Sequence, residues 1–232
     1  MSSPVPPLPP LDIAGRAPAV HILKLGAPLH RFYTKPYEPA YFDGSDRGRF
    51  NAPDGSYGVF YAAEAVAGAF AETFLRAPGR TVLPPDMLAA KGYVRFKVKR
   101  PVRLIRFAGP GLARVGATAE VSHRSQPYDV PQAWSKALHD HPAMADGIAY
   151  TARHDDEALC IALFDRASDA LTEVERRLDL DQDWFWVLGA GRTLRHRHPA
   201  AVTGLVGSRS YRDEQGLNGV WATSVARHEV RE

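Results

Sequence analysis

Two periodicities divide the chain into elements. Val94, Phe96 and Val98 alternate with Arg95, Lys97 and Lys99, the period of two that marks a half-buried strand. Residues 102–107 (VRLIRF) follow after a short break and are expected as its antiparallel neighbour. Val66, Phe70 and Phe74 recur at i, i+4 and i+8 instead. That spacing draws one apolar stripe along a helix over 64–76, which Pro78 stops. Upstream, 58–63 (GVFYAA) reads as a strong strand introduced by Gly55 and Gly58. Residues 29–33 (LHRFY) and 47–51 (RGRFN) read as shorter strands around an irregular aromatic loop. Downstream, 131–141 suits a helix with Pro131 in its first turn. Residues 147–152 (GIAYTA) and 159–165 (LCIALFD) are buried strands by composition, with Asp155 and Asp156 in the turn between them. A helix over 168–177 and a strand over 184–188 (WFWVL) complete the pattern, which fades past Gly189. Strands mixed with helices, with few β-α-β alternations, predict α+β and not a Rossmann sheet.

Composition adjusts this picture at its ends. Six prolines fall within residues 1–20, which predicts an extended, mobile tail. With no internal repeat and no interdomain linker, 21–232 is expected to be a single domain, and 232 residues suffice for a full core. No apolar run approaches the roughly 18 residues of a membrane span, and the proline-rich start, without a basic segment, does not resemble a signal peptide. The lone cysteine, Cys160, excludes an internal disulfide framework and makes a reducing cytoplasm the expected compartment. The net charge of +3 is too small to argue for nucleic-acid binding. Basic residues cluster over 91–106 and over 192–198 (RTLRHRH), where a solvated face accounts for them.

Several chemistries lack their residues. There is no Walker phosphate loop, no GxSxG elbow, no HExxH and no CxxC. Residues 109–116 (GPGLARVG) lack dinucleotide-loop spacing. The pairs His139/His141 and His196/His198 have no evident third ligand, so no metal site is expected. The informative stretch is 30–76. Arg31, Arg47 and Arg49 carry the planar fork that suits phosphate oxygens, among nine aromatic residues between Phe32 and Tyr61 that suit either a core or the wall of a pocket. On the predicted helix, Glu72 points roughly opposite Phe70, above Ala65, Gly68 and Ala69. A carboxylate over small residues leaves room for a ligand; an exposed i, i+4 pair with Arg76 accounts for the same residues.

The order of these pieces resembles a known family. Arg31 on the first strand precedes Gly-Arg-Phe-Asn (48–51), then a Gly-x-x-Tyr strand (58–61), then a helix with Ala-x-x-Glu (69–72). A later block from Asp146 to Tyr150 and on through 160–166 follows, with the Trp134 helix between. Over about 28–167 the chain is similar to the RES domain family, toxins of bacterial toxin–antitoxin systems; 190–232 is unmatched. One departure stands out. The position two after the tyrosine of the later block, where the family usually carries serine, is Ala152. Thr151 is adjacent but faces the other side of a strand.

The resemblance implies an ADP-ribosyltransferase-like fold, two small mixed or antiparallel sheets around an NAD cleft with flanking helices. It implies an enzyme that cleaves the nicotinamide–ribose bond of NAD⁺ and transfers ADP-ribose to inorganic phosphate (an NAD⁺ phosphorylase) or water. NAD⁺ is then substrate rather than resident cofactor, phosphate the co-substrate, and no metal is needed. Alternatives are a protein ADP-ribosyltransferase and a catalytically weak NAD- or partner-binding module. In this scheme Glu72 stabilises the ribose cation, Arg31 and Arg49 clamp pyrophosphate or incoming phosphate, and Tyr61 orients the nicotinamide end. Tyr41 contributes from the loop over the cleft, and Ala152 holds the place of the serine. A helix-turn-helix antitoxin is the implied partner and a homodimer the implied assembly. With its serine absent, the enzyme is expected to be slow, and Ala152→Ser to raise phosphate-dependent turnover unless Ala152 is packing.

Overall fold

The computed structural model describes residues 6–75, 83–124 and 126–180, and the short backbone pair 211–212 with 218–219. The Glu72–Arg76 pair, the 184–188 strand, the 192–198 basic run and the His196/His198 pair lie outside the described residues.

Eight strands form one mixed sheet: β1 Val20–Leu23, β2 Pro28–Thr34, β3 Val59–Ala63, β4 Lys91–Val98, β5 Val102–Arg106, β6 Gly147–Ala152, β7 Asp155–Phe164 and β8 Leu171–Arg177. Their order is β1-β5-β6-β7-β3-β2-β4-β8, antiparallel throughout except for β5 with β6. The helices are α1 Val66–Phe74, α2 Pro85–Ala89, α3 Pro110–Val115, α4 Ala119–His123 and α5 Asp129–His139. None of the described helices is long and apolar enough to cross a membrane.

Among the described residues one large sheet, beside the short pair at 211–212 and 218–219, stands where two small ones were expected, and it is rolled. Three residues, 99–101, connect β4 to β5, which stand five places apart in the sheet. On a flat sheet that separation is about 24 Å, whereas a chain of this length reaches about 14 Å. Rolling closes the gap. It brings Phe60 of β3 edge-on to Phe96 of β4, with ring centroids 5.3 Å apart. One core is therefore sheet against sheet: Leu29, Phe60, Val94, Phe96, Leu104, Ile161 and Leu163 are all buried in it. The other lies under the helices, where Phe32, Phe70, Phe74, Trp134, Tyr150 and Phe164 meet.

The same topology corrects the expected pairing of β4 with β5. Strand β4 pairs with β2 and β8, and β5 with β1 and β6. The helix expected over 168–177 is also corrected. Residues 165–170 make a 3-10 turn and Leu171–Arg177 is strand β8. Its β-branched Thr172 and Val174 suit the pleat, and the edge of β4 supplies hydrogen-bond partners that local sequence does not show.

Residues 6–19, within the stretch expected as an extended tail, dock on the body. Trp134 Nε1–H donates to the Pro7 carbonyl at 2.7 Å, and Arg114 donates to the Ala17 carbonyl at 3.0 Å. The buried His141 ring lies 3.1 Å from the carbonyls of Ile13 and Arg16. Its companion His139 stacks on Tyr57 at 4.0 Å and contacts Asp140. Both imidazoles are committed to packing and hydrogen bonds, and no group of three or more metal-ligating side chains occurs among the described residues.

Candidate active site

Strands β2 and β3 pair at one position only, His30 opposite Ala63. Beyond it residues 31–34 part from 59–62, and the loop from 35 to 58 inserts, with Asp43 bridging to Val59. The resulting wedge is a cleft of about 350 Å³, within the range of small-molecule sites, roughly 300–1,000 Å³. Arg31, Asp43, Tyr61, Glu72, Lys91 and Tyr150 line it. A smaller cavity of about 30 Å³ beside it shares Tyr61, Glu72 and Tyr150 and adds Arg47, Arg49 and Tyr128.

Arg31 spans the wedge. Its Nη1–H donates to the carbonyl of Tyr61 at 3.0 Å, a carbonyl that β2 leaves unmet, and the guanidinium lies 4.6 Å over the Phe60 ring. Burial pulls its pKa down to about 10, against the opposing charge of Asp43. It is still a cation at neutral pH, held at a desolvation cost that an anionic ligand would offset.

Helix α1 carries Glu72 to the cleft because its other face is bound to the sheet. Phe70 and Phe74 pack on Phe32 with centroids 6.3 and 5.2 Å away. A Cβ on Gly68 would stand 3.0 Å from Ala158 and 3.2 Å from Ala63, so the missing side chain lets the helix sit close to β3 and β7. Of the small residues expected beneath Glu72, Ala69 lines the cleft, whereas Gly68 is packed against the sheet and Ala65 is exposed. Among the described residues the carboxylate meets three donors. Arg153 N–H donates to Oε1 at 3.1 Å, the Tyr150 hydroxyl to Oε2 at 3.4 Å, and Arg49 Nη2 lies 3.6 Å from Oε2. Burial, then the nearby Glu72 charge, raises the Tyr150 pKa well above its usual value. Tyr150 therefore remains a phenol, able to donate.

Residues 47–51 are a turn, not the expected strand. The Asn51 side chain donates to Asp43 Oδ2 at 3.0 Å and to the Ser45 carbonyl at 2.7 Å, and accepts from the Tyr61 hydroxyl at 2.9 Å. Tyr61 in turn accepts from Phe50 N–H at 2.8 Å. Its hydroxyl is committed to the turn, and the residue lines the cleft. Gly48 is required here, because a Cβ would collide with Asn51 and stand 2.8 Å from the Tyr61 hydroxyl. Helix α5 pins the turn from outside through Gln132 to the carbonyls of Asp46 and Gly48, and through Ser135 to that of Phe50.

This turn aims Arg49 inward, where it is 8% exposed. Its Nη1–H donates to the Ser122 carbonyl at 3.0 Å, and the guanidinium lies 5.6 Å over the Tyr150 ring. Burial, the largest influence, lowers its pKa, but Glu72 together with Tyr150, Tyr128 and Tyr61 outweighs it, and the net shift is upward. Arg49 sits with Glu72, away from Arg31's wall. Tyr41 is 54% exposed and lines neither cavity. Ala152 is wholly buried in the helix-side core and lines neither. Ala152→Ser is therefore expected to lower the melting temperature, since an added hydroxyl without a partner costs about 1–3 kcal/mol. Thermal unfolding beside phosphate-dependent turnover checks this; a serine variant that melts normally and turns over faster would restore the expected role.

Four site groups escaped the sequence: Tyr150, the Arg153 amide, Asp43 and Lys91. Tyr150 had a signal, the block from Asp146 to Tyr150, while a backbone amide has none.

An α+β protein with a rolled sheet, opened between two strands into a cleft of Arg, Tyr and Glu, is the class that fold and site define. The chain belongs to the RES domain family, whose family model matches residues 27–188. That match runs beyond the 28–167 read from motifs and takes in β8. The fold is similar to a chain in the crystal structure of the M. tuberculosis MbcT–MbcA toxin–antitoxin complex, with a TM-score of 0.53 and 16% identity. The likeness covers 67% of this chain and 85% of that one. No curated protein matches the chain.

Proposed function

We propose that this chain is the toxin enzyme of a toxin–antitoxin pair, cleaving the nicotinamide–ribose bond of NAD⁺ in an ADP-ribosyltransferase-like cleft. ADP-ribose is transferred to phosphate or water. The observation that carries this reading is the Glu72 carboxylate held by three donors in the cleft that Arg31 lines. When the bond breaks, its electron pair leaves with nicotinamide and the ribose C1″ becomes oxocarbenium-like. Glu72 stabilises that cation by charge already in place, needing no proton transfer. An oxygen of phosphate, or of water with its proton passing to solvent, then forms the new bond to C1″. Arg31 binds the pyrophosphate, Tyr61 presents its ring to the nicotinamide end, and a helix-turn-helix antitoxin is the partner that restrains the enzyme in the cytoplasm.

Product analysis of NAD⁺ by NMR, with and without phosphate, tests the reaction. Free nicotinamide with a phosphorylated ADP-ribose is the expected result. Labelled protein from radiolabelled NAD⁺ would indicate the protein-modifying alternative, and intact NAD⁺ would overturn the reading.

Arg49 acts in this scheme as a positioning residue, through Glu72, rather than as the pyrophosphate clamp. Arg49→Lys keeps a charge near Glu72 but loses the fork shared with the Ser122 carbonyl. It is expected to lower kcat about 10- to 100-fold with KM little changed. A rise in KM at constant kcat would return Arg49 to the substrate.

A further inference from the structure

Two of the residues that hold Glu72, Arg49 and Arg153, are themselves held at the end of α4. Arg49 donates through Nη1–H to the Ser122 carbonyl at 3.0 Å, and Arg153 donates through Nη2–H to the Arg124 carbonyl at 2.6 Å. Between them, His123 Nε2 lies 3.3 Å from Thr151 Oγ1 and 3.5 Å from Asp156 Oδ1. A helix leaves its last carbonyls without partners of its own, and the negative end of its dipole favours cations. Three successive residues thus grip both the turn that carries Arg49 and the hairpin that joins β6 to β7.

Arg153 faces two ways. Its main-chain N–H donates to Glu72 Oε1 at 3.1 Å, while its guanidinium reaches the Arg124 carbonyl. The β6–β7 ladder ends at Ala152 opposite Asp155, past a register shift between Thr151 and Ala152. Arg153 therefore stands in the turn, beyond the last paired position, where the ladder does not set the direction of its amide. Its Nε is buried with no hydrogen-bond partner, a cost that an arginine turned out into water would escape. The side chain is thus held on its carbonyl and not left at the surface. Arg153 lines neither cavity.

We propose that Arg153 is a positioning residue for Glu72: its guanidinium, anchored on the Arg124 carbonyl, fixes the hairpin turn so that its own amide holds the carboxylate in place. Residues 122–124 are then the common anchor of that amide and of Arg49. This rests on the catalytic reading of Glu72 given above. Substituting the side chain leaves the amide in the chain and removes only what aims it, so the effect reaches the reaction through Glu72 and falls on kcat.

Two measurements on the full chain test it: nicotinamide release from NAD⁺, and hydrogen exchange at the residue-153 amide by NMR. Arg153→Ala is expected to lower kcat about tenfold or more with KM little changed, the signature of a displaced catalytic group. Its 153 amide should exchange about tenfold faster than the parent's, after correction for intrinsic rates. Arg153→Lys should recover most of both, because a single donor suffices for the Arg124 carbonyl, and it guards against a folding defect in the alanine variant. In a Glu72→Gln background Arg153→Ala should add little, since residues that act through one another are not additive. An equal fall in kcat in both backgrounds, or parental kcat and exchange in Arg153→Ala, would overturn the proposal while leaving NAD⁺ cleavage intact. Faster exchange in the variant of a parent that releases no nicotinamide would support the anchor and sink the catalytic reading.

Discussion

Glu72→Gln is expected to bind NAD⁺ normally and to release nicotinamide about 10²–10³ times more slowly than the parent. The amide nearly preserves shape: its oxygen can still accept from Arg153 N–H, and its NH2, in the place of Oε2, can donate to the Tyr150 hydroxyl, where the carboxylate is held at 3.1 and 3.4 Å. What it loses is the charge. A neutral group cannot stabilise a developing ribose cation as a carboxylate does, and the loss falls on the transition state rather than on bound substrate. The expected signature is a fall in kcat with little change in KM. The fold should survive, since Glu72 is not part of the apolar stripe that holds α1 to the sheet, although Arg49 then keeps a buried charge with a weaker partner. Nicotinamide release near the parental rate would remove Glu72 from the mechanism.

The second large effect concerns Arg31. Arg31→Lys is expected to lose nearly as much NAD⁺ affinity as Arg31→Ala, on the order of tenfold to a hundredfold. One nitrogen of the guanidinium is taken by the Tyr61 carbonyl and its face lies over Phe60, so it needs the rest of the fork to reach a ligand. A lysine has one nitrogen with which to do both. Its strongly hydrated ammonium is also harder to bury than a guanidinium. Equilibrium binding of NAD⁺ to the three proteins checks this. If lysine restores most of the affinity, Arg31 is a general positive charge and not a shaped anion site.

Much of the framework is legible in the residues alone. The alternation through Val94, Phe96 and Val98 is strand β4, and the i, i+4, i+8 spacing of Phe70 and Phe74 with Val66 is α1. The stretches 29–33, 58–63, 131–141, 147–152 and 159–165 all lie largely within described elements of the expected type. Periodicity reports which face of a local element is buried, and that is a property of neighbouring residues. It also turned Glu72 away from the stripe, as found. Where one element lacks a strong period the reading erred. Residues 47–51 carry Arg and Phe like a strand, yet are a turn because Asn51, Gly48 and Tyr61 close on one another.

By itself, then, the sequence determined the nature and order of the elements that bear Arg31, Tyr61 and Glu72, because apolar spacing and chain direction are local. Only the tertiary structure decided what those residues meet. Tyr150 and Arg153 reach Glu72 from 78 and 81 positions away, and nothing in the intervening chain encodes that approach. The roll of the sheet was equally invisible, since a three-residue connection reads as a hairpin until its strands are found five places apart. So was the cleft. It exists because β2 and β3 share one paired position and then separate, and a gap between strands is made by what packs on either side of it, not by the residues that line it.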